Sequence, residues 1–554
     1  MYLRPVSRPD PESEPLAIMN SRAVKFFESY FAADKPTAPA STDTSDFKIN
    51  VDTASSRVAT FYEKIRQVVD WKEEHLMRRI AMERVLKRRL FLKHQVTDTA
   101  ESLLIELVRG GHFPNNFISR ARVQPVQEFL DRYHHRLRHL PTPPVGHTKS
   151  ATYDLVFKIA ACELEELLNP QDYAHAAALV DFMEKTMHDK IVIGPAARDK
   201  YPLKKTDREV MLFISVQQAL LRLDYPTIAY NILKRYSPEW FSSKTEIQAT
   251  VTDNIYTILK NIDTRFYHPL AHKFFAACQN YSPPFLILND ALRSGNKKIY
   301  QNASSLKSVM TVCRQAYDQR LKLLQARLRR SAIYTTISVF ATHIVLLYIL
   351  EIPLAQLLTS RLHLLAAAVD IFVPTILMGV LVAGIRLPAA DNFDLIFTEL
   401  QKILYKNNEL GFCEIEIYRQ KSWLWRAIMR FWYGLNFIVC FGLLIALLYW
   451  LNFPITSYFV FIIFTSLIFF TGSVLRQNSQ ELNMCPRKEG LIALIFQPLT
   501  LPIVYLGRWL SGKWQKYNLA GIFFSVLLDS PFAVFINFIE QWRHFVREKQ
   551  EEIH

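Results

Sequence analysis

FWYGLNFIVCFGLLIALLYWL (Phe431–Leu451), followed after Asn452-Phe453-Pro454 by ITSYFVFIIFTSLIFFTGSVL (Ile455–Leu475), decides the reading of this chain. Neither run contains Asp, Glu, Lys or Arg. A helix rises 1.5 Å per residue, so about 20 apolar residues cover the roughly 30 Å of bilayer hydrocarbon. Both runs meet that length, and so do Ala332–Leu350 and Leu364–Ile385 upstream. A buried helix of a water-soluble protein is the competing explanation for any one of them. Four in succession favour a bilayer. The expected membrane region is two helical hairpins, 331–386 and 431–476, joined by a linker over 387–430.

Basic residues set the expected orientation. Arg320, Lys322, Arg327, Arg329 and Arg330 precede the first run, Arg386 to Arg430 carry the linker's cations, and Arg476, Arg487 and Lys488 follow the fourth. Positive charge stays on the cytoplasmic side, which puts the N-terminus and the linker there. The two hairpins echo each other: Leu346-Leu-Tyr-Ile-Leu-Glu-Ile-Pro353 against Leu447-Leu-Tyr-Trp-Leu-Asn-Phe-Pro454. Either the hairpin is duplicated or apolar helices simply share leucines; of the matches, only the tyrosine and the proline carry weight.

Beyond the fourth run, Leu491–Leu506 carries Pro498 and Pro502, and Ala520–Ile539 is interrupted by Asp529-Ser530-Pro531. If both crossed, Arg508, Lys513 and Lys516 would lie outside, against the charge rule. The expectation for 477–554 is therefore re-entrant or interfacial helices, with Trp509, Trp514 and Trp542 at the interface and a basic tail.

From Ser331 onward there are 17 Lys and Arg against 15 Asp and Glu, leaving 49 against 36 before it. The positive excess therefore belongs to the N-terminal part and favours a protein or anionic-lipid partner, with nucleic acid less favoured. Only 15 glycines occur, too few for many tight turns or phosphate-cradling loops, so the expected fold is all-α. Six isolated cysteines give no CxxC or Cys/His cluster and fit a reducing compartment.

Residues 1–50, rich in Pro, Ser, Thr and acids, read as a disordered tail. The segment 51–330 reads as a basic, cytoplasmic multi-helix domain. A long helix is expected from about Ser56 to His94, with Arg78, Arg79, Arg84, Lys87, Arg88, Arg89 and Lys93 in its second half. That run suits an anionic surface, or is a solvated helix face. Basic residues continue in Arg132 and Arg136, amid His134, His135 and His139. Helices are expected to open at Asp172-Tyr173 and Asp224-Tyr225. Leu221, Tyr225, Ala229, Leu233 and Pro238 resemble the second helix of a TPR-like unit, which implies paired helices. Two such copies fall short of an array.

No phosphate-loop, dinucleotide, zinc-protease or nucleophile-elbow motif occurs, so the sequence calls for no cofactor, metal or catalytic residue. Polar groups within the apolar runs are the candidates: His343, Asp370, Asn436 and Asp529. Such groups usually find a partner or a water-filled cavity. His343 and Asp370 reach similar depths on adjacent helices and are expected to meet, as helix glue or as part of a proton or solute path. Three functions follow: a membrane-anchored interaction protein; a transporter or channel subunit, oligomeric, with its site around Asp370; and a lipid-modifying enzyme. The last would use the linker acids Asp391, Asp394, Glu399, Glu414 and Glu416, among which Cys413, Ile415 and Ile417 alternate as a short strand would.

Overall fold

The structure is a computed structural model. It describes residues 19–33, 48–49, 74–92, 99–145, 148–294, 306–346, 364–385, 388, 391–405, 413–416, 422–450, 455–484, 491–517, 538 and 542. Among these residues the chain is almost wholly helical, with one pair of three-residue strands. Contacts divide it into two units. One comprises Arg22–Gln279, Gly411–Ile415 and Phe523–His554; the other comprises Met1–Ser21, Asn280–Leu410 and Glu416–Ile522.

The first unit holds α1 (Ser21–Ala32), α2 (Glu74–Leu92), α3 (Thr99–Arg109), α4 (Val123–Arg138), α5 (Lys149–Leu168), α6 (Pro170–Lys190) and β1 (Ile191–Ile193). It continues with α7 (Pro195–Lys200), α8 (Lys205–Leu221), α9 (Tyr225–Tyr236), α10 (Thr245–Asp253), α11 (Ile255–Phe266) and the first turns of α12 (Ala271–Arg293). Its centre is α5, buried on nearly all sides through Val156, Phe157, Ile159 to Cys162, Leu164 and Leu168. The α5 helix packs against α2, α4, α6 and α9. Thr148 caps its first turn, accepting from the amide of Ala151 at 3.3 Å. Asp224 does the same for α9, accepting from Thr227 N–H at 3.4 Å, and Pro226 suits that helix's first turn. The α6 helix begins at Pro170, two residues before the expected Asp172.

Three expectations for this unit change. The disordered tail over 1–50 is corrected at α1, where Ala23, Phe26, Phe27 and Tyr30 are buried. Phe26 stacks on Phe182 at 4.6 Å and Tyr30 on His175 at 4.3 Å, so aromatic burial outweighs the helix-poor flanks. The long charged helix is described only as α2; residues 56–73 and 93–94 lie outside the described residues. In the linker, β2 (Cys413–Ile415) pairs in parallel with β1, Ile191 opposite Cys413 and Ile193 opposite Ile415. Cys413 and Ile415 are buried, which is why the alternation is there. Ile417 lies outside the described residues.

The second unit contains α13 (Leu306–Leu346), α14 (Leu364–Ala383), α15 (Asn392–Tyr405), α16 (Trp423–Trp450), α17 (Ile455–Ser479) and α18 (Leu491–Tyr517). The α13 helix runs 41 residues without a break, about 60 Å, from charged sequence into apolar sequence. Packing proceeds from α13 to α14, α14 to α17, α17 to α18 and α18 to α16, while α15 packs on α13. Met378, Ile468 and Leu475 form the buried seam between α14 and α17. Below the apolar runs, Arg320 of α13 binds Asp290 at 2.6 Å and Glu481. Burial pulls the Arg320 guanidinium down, and the two carboxylates more than restore it. Asn392 holds the turn after α17: its amide donates to Leu482 O at 2.7 Å and its oxygen accepts from Met484 N–H at 3.2 Å.

Four spans were expected. Among the described residues two helices, not four, are long and apolar enough to cross a membrane: Trp423–Trp450 and Phe461–Ser479. Phe372–Ala383 is a shorter apolar helix. Of the expected run 332–350, residues 332–346 are described; 364–385 is described along its backbone, with side chains described from Phe372 onward. Leu491–Tyr517 is a continuous helix despite its two prolines. Of the second C-terminal run, only Phe538 is described.

Candidate membrane interface

The α16 helix sits at one end of the packing order and makes its main contact with α18 alone. Most of its apolar side chains are consequently exposed: Phe431 is 69% exposed, Ile438 69% and Leu443 62%. Cys440 and Leu448 are its buried residues. Its ends carry the amphipathic rings. Trp423, Trp425, Trp432 and Tyr433 lie with Arg426 and Arg430 near the start, and Tyr449 and Trp450 close the helix, all of these aromatics exposed. From Trp432 to Trp450 the rise is about 27 Å, close to the thickness of the bilayer hydrocarbon. Trp and Tyr favour the two membrane–water boundaries. Phe372, Ile376 and Val380 of α14 are exposed in the same way.

Polar and small residues join the bundle. Asn436 Nδ2 donates to Pro498 O at 2.7 Å, linking α16 to α18. In an α-helix that carbonyl would accept from the amide of residue 502, but Pro502 has no N–H. At Gly507 a Cβ would strike the backbone carbonyl of Ser466, so α18 and α17 touch backbone to backbone. At Gly472 a Cβ would meet Leu381 Cδ1 at 3.2 Å, where α17 crosses α14. Small residues let membrane helices approach in this way.

Of the other intramembrane candidates, His343 lies on the last turns of α13 and Asp370 in the second turn of α14. Their side chains lie outside the described residues, as does Asp529. Pro374 inside α14 removes the helical donor of Asp370's own carbonyl.

The basic run of α2 is engaged within the first unit. Arg79 binds Asp224 at 2.5 Å, Lys87 binds Asp154 at 2.5 Å and Glu83 at 2.7 Å, and Arg89 binds Glu106 at 2.6 Å. Arg78 Nε lies 3.4 Å from Glu165. Arg84 is half-buried; Arg88 is 60% exposed and also pairs with Glu106. Lys93 lies outside the described residues. Burial lifts the Glu165 carboxyl to about 7 against the pull of Arg78, the Tyr173 hydroxyl and Arg79.

A second buried cluster joins Arg132 and Arg136, named above only as continuing the basic run, to Tyr133, Glu163 and Trp240, which the sequence did not single out. Tyr133 donates to Glu163 at 2.8 Å, and Arg132 donates to Glu163 and, at 3.1 Å, to Phe241 O. Arg136 lies over the Trp240 ring at 4.2 Å and donates to Trp240 O at 2.7 Å. Burial pushes the Glu163 carboxyl up, against the pull of Arg132. The available signal was the phase of α4. Arg132 and Arg136 fall three and seven residues after the buried Phe129, on its apolar stripe.

Among the described residues no three His, Cys, Asp or Glu side chains form a group that could hold a metal ion. The five described cysteines are free and buried. Compared with known proteins, the chain matches no family, no curated protein and no solved structure.

Proposed function

We propose that this chain is a membrane-anchored interaction protein. Its second unit inserts in a bilayer, and residues Arg22–Gln279 of its first unit dock a protein partner from the cytoplasmic side. One observation carries the anchor: α16 is 28 residues long, apolar and largely uncovered. A core helix of a soluble protein passes a length and hydropathy test because it is buried, and this one is not. Each exposed Leu, Ile or Phe left in water forfeits about 1.5–3 kcal/mol of burial. So much contiguous apolar surface needs a non-aqueous neighbour. In this reading α13 and α14 supply the first hairpin and α16 and α17 the second, with the flanking arginines inward.

For the docking role speak the size of the first unit and its internal charge balance. With Arg78, Arg79, Lys87 and Arg89 engaged by acids of their own fold, a protein surface is favoured over an anionic-lipid or nucleic-acid one. Two measurements test the reading. Alkaline carbonate should leave the chain in the membrane pellet; release to the supernatant sinks the anchor. Lysine crosslinking in intact membranes should give a discrete protein adduct on the first unit, and its absence sinks the docking role.

A further inference from the structure

We infer that α18 crosses the membrane as a further span, antiparallel to α17, rather than lying along the inner surface. The inference rests on the membrane reading of α16 and α17. Two contacts fix the depth of α18. Gly507 abuts Ser466, which is 11 residues below Ile455 and 10 above Arg476, so about 16 Å and 15 Å from the two ends of the α17 run. Pro498 accepts from Asn436, which is 14 residues below Trp450 and six above Arg430, so about 21 Å and 9 Å from the ends of the apolar run of α16. Both contacts lie inside the apolar layer, where a helix resting on the headgroups does not reach.

The connection fixes the direction. Asn392 holds Leu482 and Met484 at the end of α17, leaving six residues, 485–490, before Leu491. Fully extended, six residues span about 20 Å. A return to the far end of α17 for a parallel run would need about 35 Å. Only the antiparallel course is within reach. It also carries Pro498 about 13 Å nearer the inner face than Gly507, in keeping with Asn436 in the inner half of α16. The contact between α17 and α18 is the most extensive helix pairing in the described chain, as two helices side by side require.

The outward face of α18 suits lipid: Leu501, Tyr505 and Trp509 are exposed there. The course carries Lys516 about 13 Å beyond Gly507, close to the outer end of the α17 run, and Lys513 about 9 Å beyond it, a depth from which an ammonium reaches the outer side by snorkelling. It also holds Arg508, next to Gly507 and exposed, near mid-depth, where a guanidinium snorkels or meets an anion.

The test uses the full-length chain with a cysteine added at one position per variant, the native-cysteine chain giving the background. In phosphatidylcholine vesicles, a spin label at Tyr505→Cys, with Leu501→Cys as a second depth probe, should be accessible to oxygen and shielded from a water-soluble nickel chelate. In sealed vesicles of known orientation, an impermeant maleimide should reach Lys516→Cys from the side opposite to Lys322→Cys. Nickel access at Tyr505 and Leu501, or labelling of 516 and 322 from the same side, overturns the inference. A label at Ile438→Cys on α16 separates the two levels. If it reads deep while Tyr505 reads shallow, only this inference fails; if it reads water, the membrane reading fails with it.

Discussion

The side-chain amide of Asn436 satisfies the one carbonyl of α18, that of Pro498, which Pro502 deprives of its helical donor. The pair explains how a helix with two prolines continues through apolar surroundings and why α16 tolerates an amide there. It also makes a conditional claim. Asn436→Leu should destabilise the second unit by about 0.6 kcal/mol, and by no more than about 1.7, the average and maximum for interhelical hydrogen bonds in membranes. In a Pro502→Ala background, residue 502 regains its N–H and the same change should cost less. A double-mutant cycle on thermal unfolding in detergent checks this; equal costs in both backgrounds would break the assignment.

Gly507 gives a sharper contrast. The atoms that a Cβ would strike are Ser466 O and C, backbone that no rotamer change can move. Gly507→Ala should therefore push α17 and α18 apart, lowering the unfolding temperature and loosening amide protection in both. At Gly442 and Gly512 nothing lies within 4 Å of an added Cβ. Alanine there should be neutral or stabilising by up to about 1 kcal/mol through helix propensity. Equal behaviour at all three positions would contradict the backbone contact.

How much of this was legible in sequence depends on the range of the interaction. The α9 start was visible because Asp224 caps its own helix three residues on. The apolar lengths of α16 and α17 are properties of one segment. By contrast, α1 needed Phe182 and His175 of α6 to bury its aromatics, and no local pattern announces them. The fate of the basic run was equally hidden, since Asp224 lies 145 residues beyond Arg79. Asn436 and the two prolines each stood out alone; only the packing of α16 on α18 joins them.

The Arg132–Glu163 cluster supports a stability prediction. Arg132 binds the buried Glu163 carboxyl, while Arg136, whose charge also acts on that carboxyl, is held by the ring and carbonyl of Trp240. Glu163→Leu leaves the buried Arg132 without its carboxylate and should cost about 3–5 kcal/mol, the range for breaking a buried pair. Glu163→Gln keeps an acceptor for Arg132 and Tyr133 and should cost less. Hydrogen exchange in α4 and α5 of the full chain reads the difference, and indistinguishable variants would mean the cluster is not holding these helices together.

Glu165 predicts a pH dependence with a definite sign. Burial lifts its carboxyl from 4.5 to about 7 in the fold, so the folded chain holds a proton that the unfolded chain has released. Between about pH 4.5 and 7 the folded state binds more protons, and stability from this group falls as pH rises. Above about 7 both states are ionised and the penalty is constant. Relative to wild type, Glu165→Gln should therefore become steadily more stable from pH 5 to 7 and then level off. The full swing is at most about 3 kcal/mol for a shift of this size. The groups facing the carboxyl are Arg78 at 3.4 Å, the Tyr173 hydroxyl at 3.3 Å and Arg79. Removing one of them should raise the carboxyl further, so Arg78→Met should move the levelling point to higher pH. Unfolding temperatures of the three proteins from pH 5 to 8 decide it: a wild-type minus Gln difference that stays flat, or that rises with pH, would place an ionised Glu165 in the fold throughout.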